Sequence, residues 1–277
     1  MISGSVRSKL APGVVGKGTD GRGNRGVSRP HVDVEILIPV HNSERSLRIS
    51  LMALAQYLAR QSYTSRIIVV DNGSVDRTTD AVLSIASHAA VDIRLMSCSR
   101  RGKGAAVRRG MLGTQATFVG YIDADMATPI ATLEPAMELL RGGADVVIAS
   151  RRCPGAQYVR RRPLIRRIGG RGFRLVSSRW VSHVADTQCG FKFFRGSSAR
   201  HLFERSEMTG CTFDLELVAM AQMIGYRIEE IPVQWTDGDG AGALWREGYE
   251  TARQLWILGR VLRAQRSSLH PVSDRAQ

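Results

Sequence analysis

Cysteine, aromatic residues, acid and long apolar runs are all scarce in this chain of 277 residues, and each scarcity removes a class of protein. The four cysteines, Cys98, Cys153, Cys189 and Cys211, are scattered, with no CxxC pair and no metal-ligand spacing. A disulfide framework and a zinc site are therefore not expected, and a reducing cytoplasm is the simpler setting. No segment reaches the roughly 18 consecutive apolar residues that a membrane-crossing helix needs. The first 30 residues lack an apolar h-region and do not read as a secretory signal. Aromatics make up only 6% of the chain and no nucleic-acid-binding motif is present, so a nucleic-acid partner is not expected.

Acidic residues number 25 against 39 basic ones, a formal net charge of +14. That excess predicts attraction to something anionic, a membrane surface or a phosphorylated substrate. It is also localised. Residues 151–179 hold ten arginines and no acid, whereas the segment around Asp123 is acidic and apolar. With 43% apolar residues the chain is long enough and apolar enough for a sizeable core. Three regions are expected: a disordered basic tail over 1–31, one main domain over 32–242, and a C-terminal amphipathic helix and tail over 243–277.

In the main domain short apolar runs alternate with helical patterns. Strands are expected at 34–40, 66–70, 93–96, 118–122 and 145–149. Helices are expected at about 46–60, 77–87 and 104–114. This alternation indicates an α/β fold, a Rossmann-like, mostly parallel sheet flanked by helices. Further on, 191–194 and 228–233 read as strands around a helix at about 213–224. An amphipathic helix is expected from about 243 to 264.

Ligands of parallel α/β sheets bind at the carboxyl ends of the strands. Three polar clusters follow strands directly: His41-Asn42-Ser43-Glu44, Asp71 to Asp76, and Asp123-Ala124-Asp125. All three are expected on one rim. Carboxylates two residues apart beyond a strand can share Mg²⁺ or Mn²⁺, which leaves positions for substrate phosphates. Taken alone, Asp-x-Asp also suits a solvated turn, and Asp71-Asn72-Gly73-Ser74 suits any turn.

In order along the chain, Pro39 to Glu44, Val70 to Thr78, Arg101-Gly102-Lys103-Gly104 and Tyr121 to Asp125 resemble the nucleotide-binding half of family-2 inverting glycosyltransferases. Ala149-Ser150-Arg151, Asp186 to Lys192 and Phe213 to Glu216 resemble the branch that glucosylates dolichyl or polyprenyl phosphates. The resemblance spans roughly 34–236 and departs at His41, where the family usually carries an aromatic residue. It implies the GT-A fold, with a mixed half on the acceptor side. It also implies a nucleotide-sugar donor, UDP-glucose being the leading case, and inverting transfer to a polyprenyl phosphate. A soluble, polysaccharide or secondary-metabolite acceptor is the alternative.

The resemblance also implies roles. Pro39, Val40, Asn42, Glu44, Asp71, Lys103, Asp123, Ala124 and Asp125 line the donor site. Asp71 binds the base, Asp125 ligates the metal, and Asp123 touches the ribose or a metal-bound water. Lys103 lies near the nucleotide or is a solvated helix-opening lysine, and Glu44 positions the nucleoside or simply opens a helix.

Asp186 is a base, or it orients the sugar or an arginine. A polyprenyl phosphate is already a nucleophile at neutral pH, so cations to hold it matter more. Arg151, with some of Arg160, Arg161, Arg162, Arg166 and Arg167, is suited to that task. Asp214 and Glu216 do not share a helix face, so one of them is expected to point into the site. Trp235 is a core residue or a sugar platform, and His183 and His201 read as structural. Peripheral docking on an anionic membrane would use the arginine-rich segment and the last helix, with Trp245, Trp256, Arg260, Arg263 and Arg266, unless that helix only packs on the core.

Overall fold

The computed structural model describes residues 31–158, 164–210, 212–235 and 244–266, with 158, 164–170 and 244–249 described by their backbone alone. The expected tail over 1–31 lies outside these residues except for His31. So do Arg160, Arg161 and Arg162 and the side chains of Arg166, Arg167 and Trp245.

The first five strands are β1 (Val34–Val40), β2 (Ser65–Asp71), β3 (Asp92–Ser97), β4 (Phe118–Ile122) and, further along, β5 (Val146–Ser150); all but the alternating edge strand β3 are built on largely apolar runs. In β1, β2, β4 and β5 nearly every residue is buried, as expected of strands covered on both faces. The crossovers are α1 (Glu44–Leu58), α2 (Thr78–Ala86), α3 (Lys103–Met111) and α4 (Leu133–Arg141). α1 turns Leu47, Leu51, Leu54 and Leu58 to the core, spaced by three to four residues as one helical face demands.

Beyond β5 come β6 (Gln157–Tyr158), α5 (Leu164–Ser177), β7 (Phe191–Arg195), α6 (Gly196–Arg205), α7 (Phe213–Ile224), β8 (Ile228–Pro232), β9 (Gln234–Trp235) and α8 (Leu244–Arg266). The main sheet has seven strands in the order β3-β2-β1-β4-β7-β5-β8, and β6 pairs with β9 in a small second sheet. β7 runs antiparallel to both neighbours, β4 and β5, whereas the other pairings of the main sheet are parallel. The sheet is therefore mixed in its second half.

This topology positions the site. β1, β2, β3, β4, β5 and β8 all point their carboxyl ends at one rim. β7 runs the opposite way, so the loop leading into it, Asp186 to Gly190, arrives at that same rim. Three helices, α4, α5 and α6, are additional to those expected from the sequence, where the stretch holding α5 reads only as arginine-rich. In α4 the spacing of Leu133, Ala136, Met137 and Leu140 is plainly helical. α6 opens Gly196-Ser197-Ser198, turn-like residues, and buries only a narrow stripe around Leu202 and Phe203. Among the described residues, no helix is long and apolar enough to cross a membrane.

Candidate active site

The first part of the rim is knitted by side chains that bond backbone across loops. Asn42, at a φ of 50°, takes the N–H of Val75 on its Oδ1 at 2.8 Å, and its own N–H donates to Ser74 Oγ at 2.9 Å. Asp71, buried at the end of β2, accepts the N–H of Ser74 at 3.1 Å. Asp76 accepts the N–H of Glu44 at 3.2 Å, which starts α1 two residues earlier than the spacing suggests. The Glu44 side chain lies 3.9 Å from Arg48 one turn along the helix. Val40 points into the core, while Pro39 is half-buried and His41 is exposed with Nδ1 3.1 Å from the Asn72 carbonyl oxygen.

Asn72 is a residue that turn chemistry concealed. Its amide donates to the carbonyls of Cys98 and Arg100 at 3.2 and 2.7 Å, and its oxygen accepts the Gly102 N–H at 2.8 Å. It thereby fastens the loop carrying Lys103. Gly102 sits at φ +116°, and a β-carbon there would stand 2.2 Å from the Thr209 carbonyl oxygen. Only glycine meets both demands. The consequence falls on Lys103, the first residue of α3, whose Nζ is 2.5 Å from Asp123 Oδ1. Burial works to lower the Lys103 pKa, but Asp123 and Asp214 outweigh it and the value is raised. The lysine is a fixed positive charge at neutral pH.

Asp123 and Asp125 follow β4. The Asp123 N–H donates to the Gly190 carbonyl at 2.9 Å, and Gly190 approaches so closely that a β-carbon would lie 1.7 Å from Asp123 Oδ2. Asp125 is exposed, with Oδ1 accepting the Ala127 N–H at 3.2 Å. The Ala124 carbonyl accepts from Ser50 Oγ at 2.7 Å, tying the turn to α1. This is an all-oxygen donor set of two half-exposed or exposed carboxylates. Among the described residues no third His, Cys, Asp or Glu joins them. Such a set fits Mg²⁺ or Mn²⁺, hard ions that keep several positions for water and phosphate oxygens.

Beneath Asp123 lies a buried network that the sequence reading did not anticipate. Lys192, in the middle of β7 and fully buried, pairs with Asp214 and donates to the Cys189 carbonyl at 2.8 Å. The Tyr121 hydroxyl donates to the same Asp214 oxygen. Lys103 and Lys192 stand 5.7 and 5.6 Å from the Tyr121 ring centroid. Burial first, and then Asp214, raise the Tyr121 pKa well above its ordinary value, so it stays a donor. A cation in the strand Phe-Lys-Phe-Phe is the one available signal, since a lysine there requires a buried partner.

Glu216 faces elsewhere. Its oxygens accept the N–H groups of Glu207 and Met208 at 2.9 and 3.0 Å, and burial pushes its pKa up to about 7. Neither Asp214 nor Glu216 opens on the rim: both are buried, in different directions.

The other end of the rim is built on Arg151, immediately after β5. Asp186, 1% exposed, accepts Arg151 Nε at 2.6 Å, an Nη at 2.8 Å and the Arg151 N–H at 3.1 Å. The Gln188 N–H adds a fourth bond at 3.2 Å, so every acceptor position of a carboxylate is used. Burial alone would raise the Asp186 pKa, but the Arg151 hydrogen bonds and charge hold it at about 2. Glu230 takes the N–H groups of Ala185 and Asp186 at 2.8 and 3.1 Å and fixes the loop. The Arg151 guanidinium lies 5.2 Å from the Trp235 ring centroid, which places that half-buried tryptophan at the rim. His183 takes a turn with φ 59°, and His201 bonds Tyr226 Oη at 2.7 Å; both are held by local structure.

The chain is similar to several known proteins. A dolichyl-phosphate beta-glucosyltransferase of Trichomonas vaginalis is 31% identical over 224 residues, covering 77% of this chain and 68% of that protein. The Drosophila melanogaster dolichyl-phosphate beta-glucosyltransferase is 32% identical over 226 residues, covering 76% of this chain and 69% of its own. Among solved structures, the glucosyl-3-phosphoglycerate synthase of Mycobacterium tuberculosis with Mg²⁺ and UDP superposes with a TM-score of 0.60. The identity is 18%, and 87% of this chain and 81% of that one are covered. At that identity the likeness speaks for the fold, and the fold is GT-A. The family model described as glycosyl transferase family 2 matches residues 35–203, a span that holds the Asn42, Asp71, Asp123 and Asp186 elements together. The chain belongs to glycosyl transferase family 2.

Proposed function

We propose that the protein transfers glucose from UDP-glucose to a polyprenyl phosphate with inversion at the anomeric carbon, using Mg²⁺ or Mn²⁺. The family assignment makes it a glycosyltransferase. The names of its relatives favour glucose and a dolichyl-type phosphate. The observation that carries the acceptor reading is Arg151, an arginine on the rim whose guanidinium plane is fixed by a saturated, buried Asp186.

On this reading Asp71 and Asn42 define the nucleoside end of the donor site, with Pro39, Val40 and Glu44 shaping the turn between β1 and α1. Asp125 and Asp123 hold the divalent ion, which would neutralise charge on the departing diphosphate. Lys103 brings a further positive charge to the same place. Arg151 holds the acceptor phosphate. One phosphate oxygen supplies the electron pair for the new bond to the anomeric carbon, and the bond from that carbon to the UDP oxygen breaks. UDP leaves with the electron pair. No proton must be removed from a phosphate dianion. Asp186 is therefore a positioning residue: with a pKa of about 2 and all acceptor positions taken, it is a poor base. The setting we propose is the cytoplasmic side of a membrane that contains the lipid acceptor.

Incubation with radiolabelled UDP- and GDP-sugars plus polyprenyl phosphate tests the reading. Label from UDP-glucose should enter the organic phase only when a divalent ion is present. Label that stays aqueous on a small or polymeric acceptor would sink the lipid reading.

A further inference from the structure

We propose that the groove between α5 and α8 is the face by which this protein docks on an anionic lipid bilayer. The choice of a bilayer rests on the acceptor reading above, because a polyprenyl phosphate is embedded in one; the surface itself rests on separate observations.

The groove encloses about 730 Å³. Its apolar lining comes from Val176 of α5, Trp180 just beyond it, Met223 of α7, and Leu255, Trp256 and Leu262 of α8. Part of the lining is itself exposed, and so is Leu175, the chain neighbour of Val176. Leu175 is 77% exposed and Trp256 is 63% exposed, and Val176 beside Leu175 is exposed as well. The single exposed Leu is ordinary, but exposed Val176 and Trp256 lining one groove from two helices point to something that covers them.

The charge around the patch says what. Arg179, Arg263 and Arg266 line the same groove, and Arg260 lies over the Trp256 indole with 5.0 Å to the ring centroid. No acidic residue lines the groove. Among the described residues, no carboxylate lies within ion-pair distance of Arg179, Arg260, Arg263 or Arg266. A second protein with an apolar patch would satisfy the leucine and the tryptophan while leaving a ring of like charges. A bilayer of anionic lipids satisfies both, with Leu175 and Trp256 entering the acyl boundary and the guanidinium groups meeting headgroup phosphates. Tryptophan is favoured at that boundary because its ring is apolar and its N–H polar.

α8 is also connected to the network beneath Asp123. α8 is tied to the start of α7 by Gln254, whose Oε1 accepts from the Thr212 N–H and hydroxyl at 3.3 and 3.2 Å. α7 in turn carries Asp214, the partner of Lys192. Docking through this face would therefore bear, by way of α8 and α7, on the Lys192–Asp214 pair under the site.

Flotation of the full chain with phosphatidylcholine vesicles, with and without phosphatidylglycerol, decides the matter. The wild type should float with the anionic vesicles, less so as salt rises, and much less with phosphatidylcholine alone. Joint substitution of Leu175→Ser and Trp256→Ser should lower binding by about tenfold or more, and Arg263→Glu with Arg266→Glu by about twentyfold or more. Circular dichroism melts check that these surface variants fold. The proposal is overturned if the wild type does not float. It is equally overturned if both variants bind as well as wild type, which would assign binding to another surface such as the basic first 30 residues. A concentration-dependent dimer that the tryptophan variant abolishes would make a second copy of the chain the occupant and likewise overturn it. Transfer to a water-soluble short-chain prenyl phosphate separates this from the acceptor reading. If that transfer is absent from wild type and variants alike, the function is wrong, whereas the flotation still decides the surface.

Discussion

The two halves of the rim are held by different physics. On the donor side, the loops after β1, β2 and β4 are stitched by side chains bonding backbone, as with Asn42, Asn72 and Asp71, and the chemically useful carboxylate of Asp125 stays exposed. On the acceptor side, charges are buried in pairs: Arg151 with Asp186, and Lys192 with Asp214. An exposed group can be removed at little cost to folding. A buried pair cannot be halved, because the surviving charge has lost both water and partner. Donor-side substitutions should therefore separate activity from stability, and acceptor-side substitutions should couple them.

The largest expected effect is on Lys192. Lys192→Met leaves Asp214 buried without its cation and should destabilise the fold by about 3–5 kcal/mol, read from urea unfolding. A variant as stable as wild type would break the comparison at its strongest point. Asp125→Asn should do the reverse. It should lower metal-dependent transfer by on the order of 10²–10³-fold, about 3–4 kcal/mol, while the urea midpoint stays in place. Undiminished transfer would remove Asp125 from the metal site.

Glu216 sharpens the comparison by pH. Its pKa is about 7 in the fold against an ordinary 4.5, so the folded state binds its proton more tightly than the unfolded chain. Its contribution is fully present below about 4.5 and is lost as pH rises through about 7, a fall of about 3 kcal/mol by the size of the shift. Glu216→Gln should flatten that part of the stability profile between pH 5 and 8. The sign is opposite for Asp186, whose pKa is lowered to about 2: its contribution is present above about 4 and is lost as pH falls through about 2. An unchanged slope in the Glu216 variant would mean that its carboxylate is hydrated. The smallest effect on transfer concerns Arg151. Arg151→Gln should raise the KM for the prenyl phosphate by roughly 10- to 100-fold, about 1.5–3 kcal/mol for charged hydrogen bonds, with UDP-glucose affinity changing little. It also leaves the buried Asp186 without its cation, so the urea midpoint should fall with it, as the comparison requires. Equal loss toward both substrates would remove its acceptor role.

Legibility in the sequence followed the same division. β1 and β4 lie where their apolar runs place them, and the polar clusters after β1, β2 and β4 share a rim because parallel strands leave no other arrangement. The second half resisted reading for a physical reason. β7 enters antiparallel between β4 and β5, and nothing in Phe191 to Arg195 announces that direction. The pairing of Arg151 with Asp186 spans 35 residues and that of Lys192 with Asp214 spans 22, so local pattern says nothing of either. Asn72 was hidden differently: an asparagine before glycine reads as a turn, and here the turn also anchors the Lys103 loop.

The central claim is that the acceptor is a phosphate on a prenyl chain. Mass spectrometry of the product formed by purified enzyme from UDP-glucose and Mn²⁺ tests it most directly, with prenyl phosphate and the matching unphosphorylated prenol offered together. The account predicts a glucosyl phosphoprenol alone, with the prenol untouched. A glucosylated prenol, or no product from the phosphate, would contradict it.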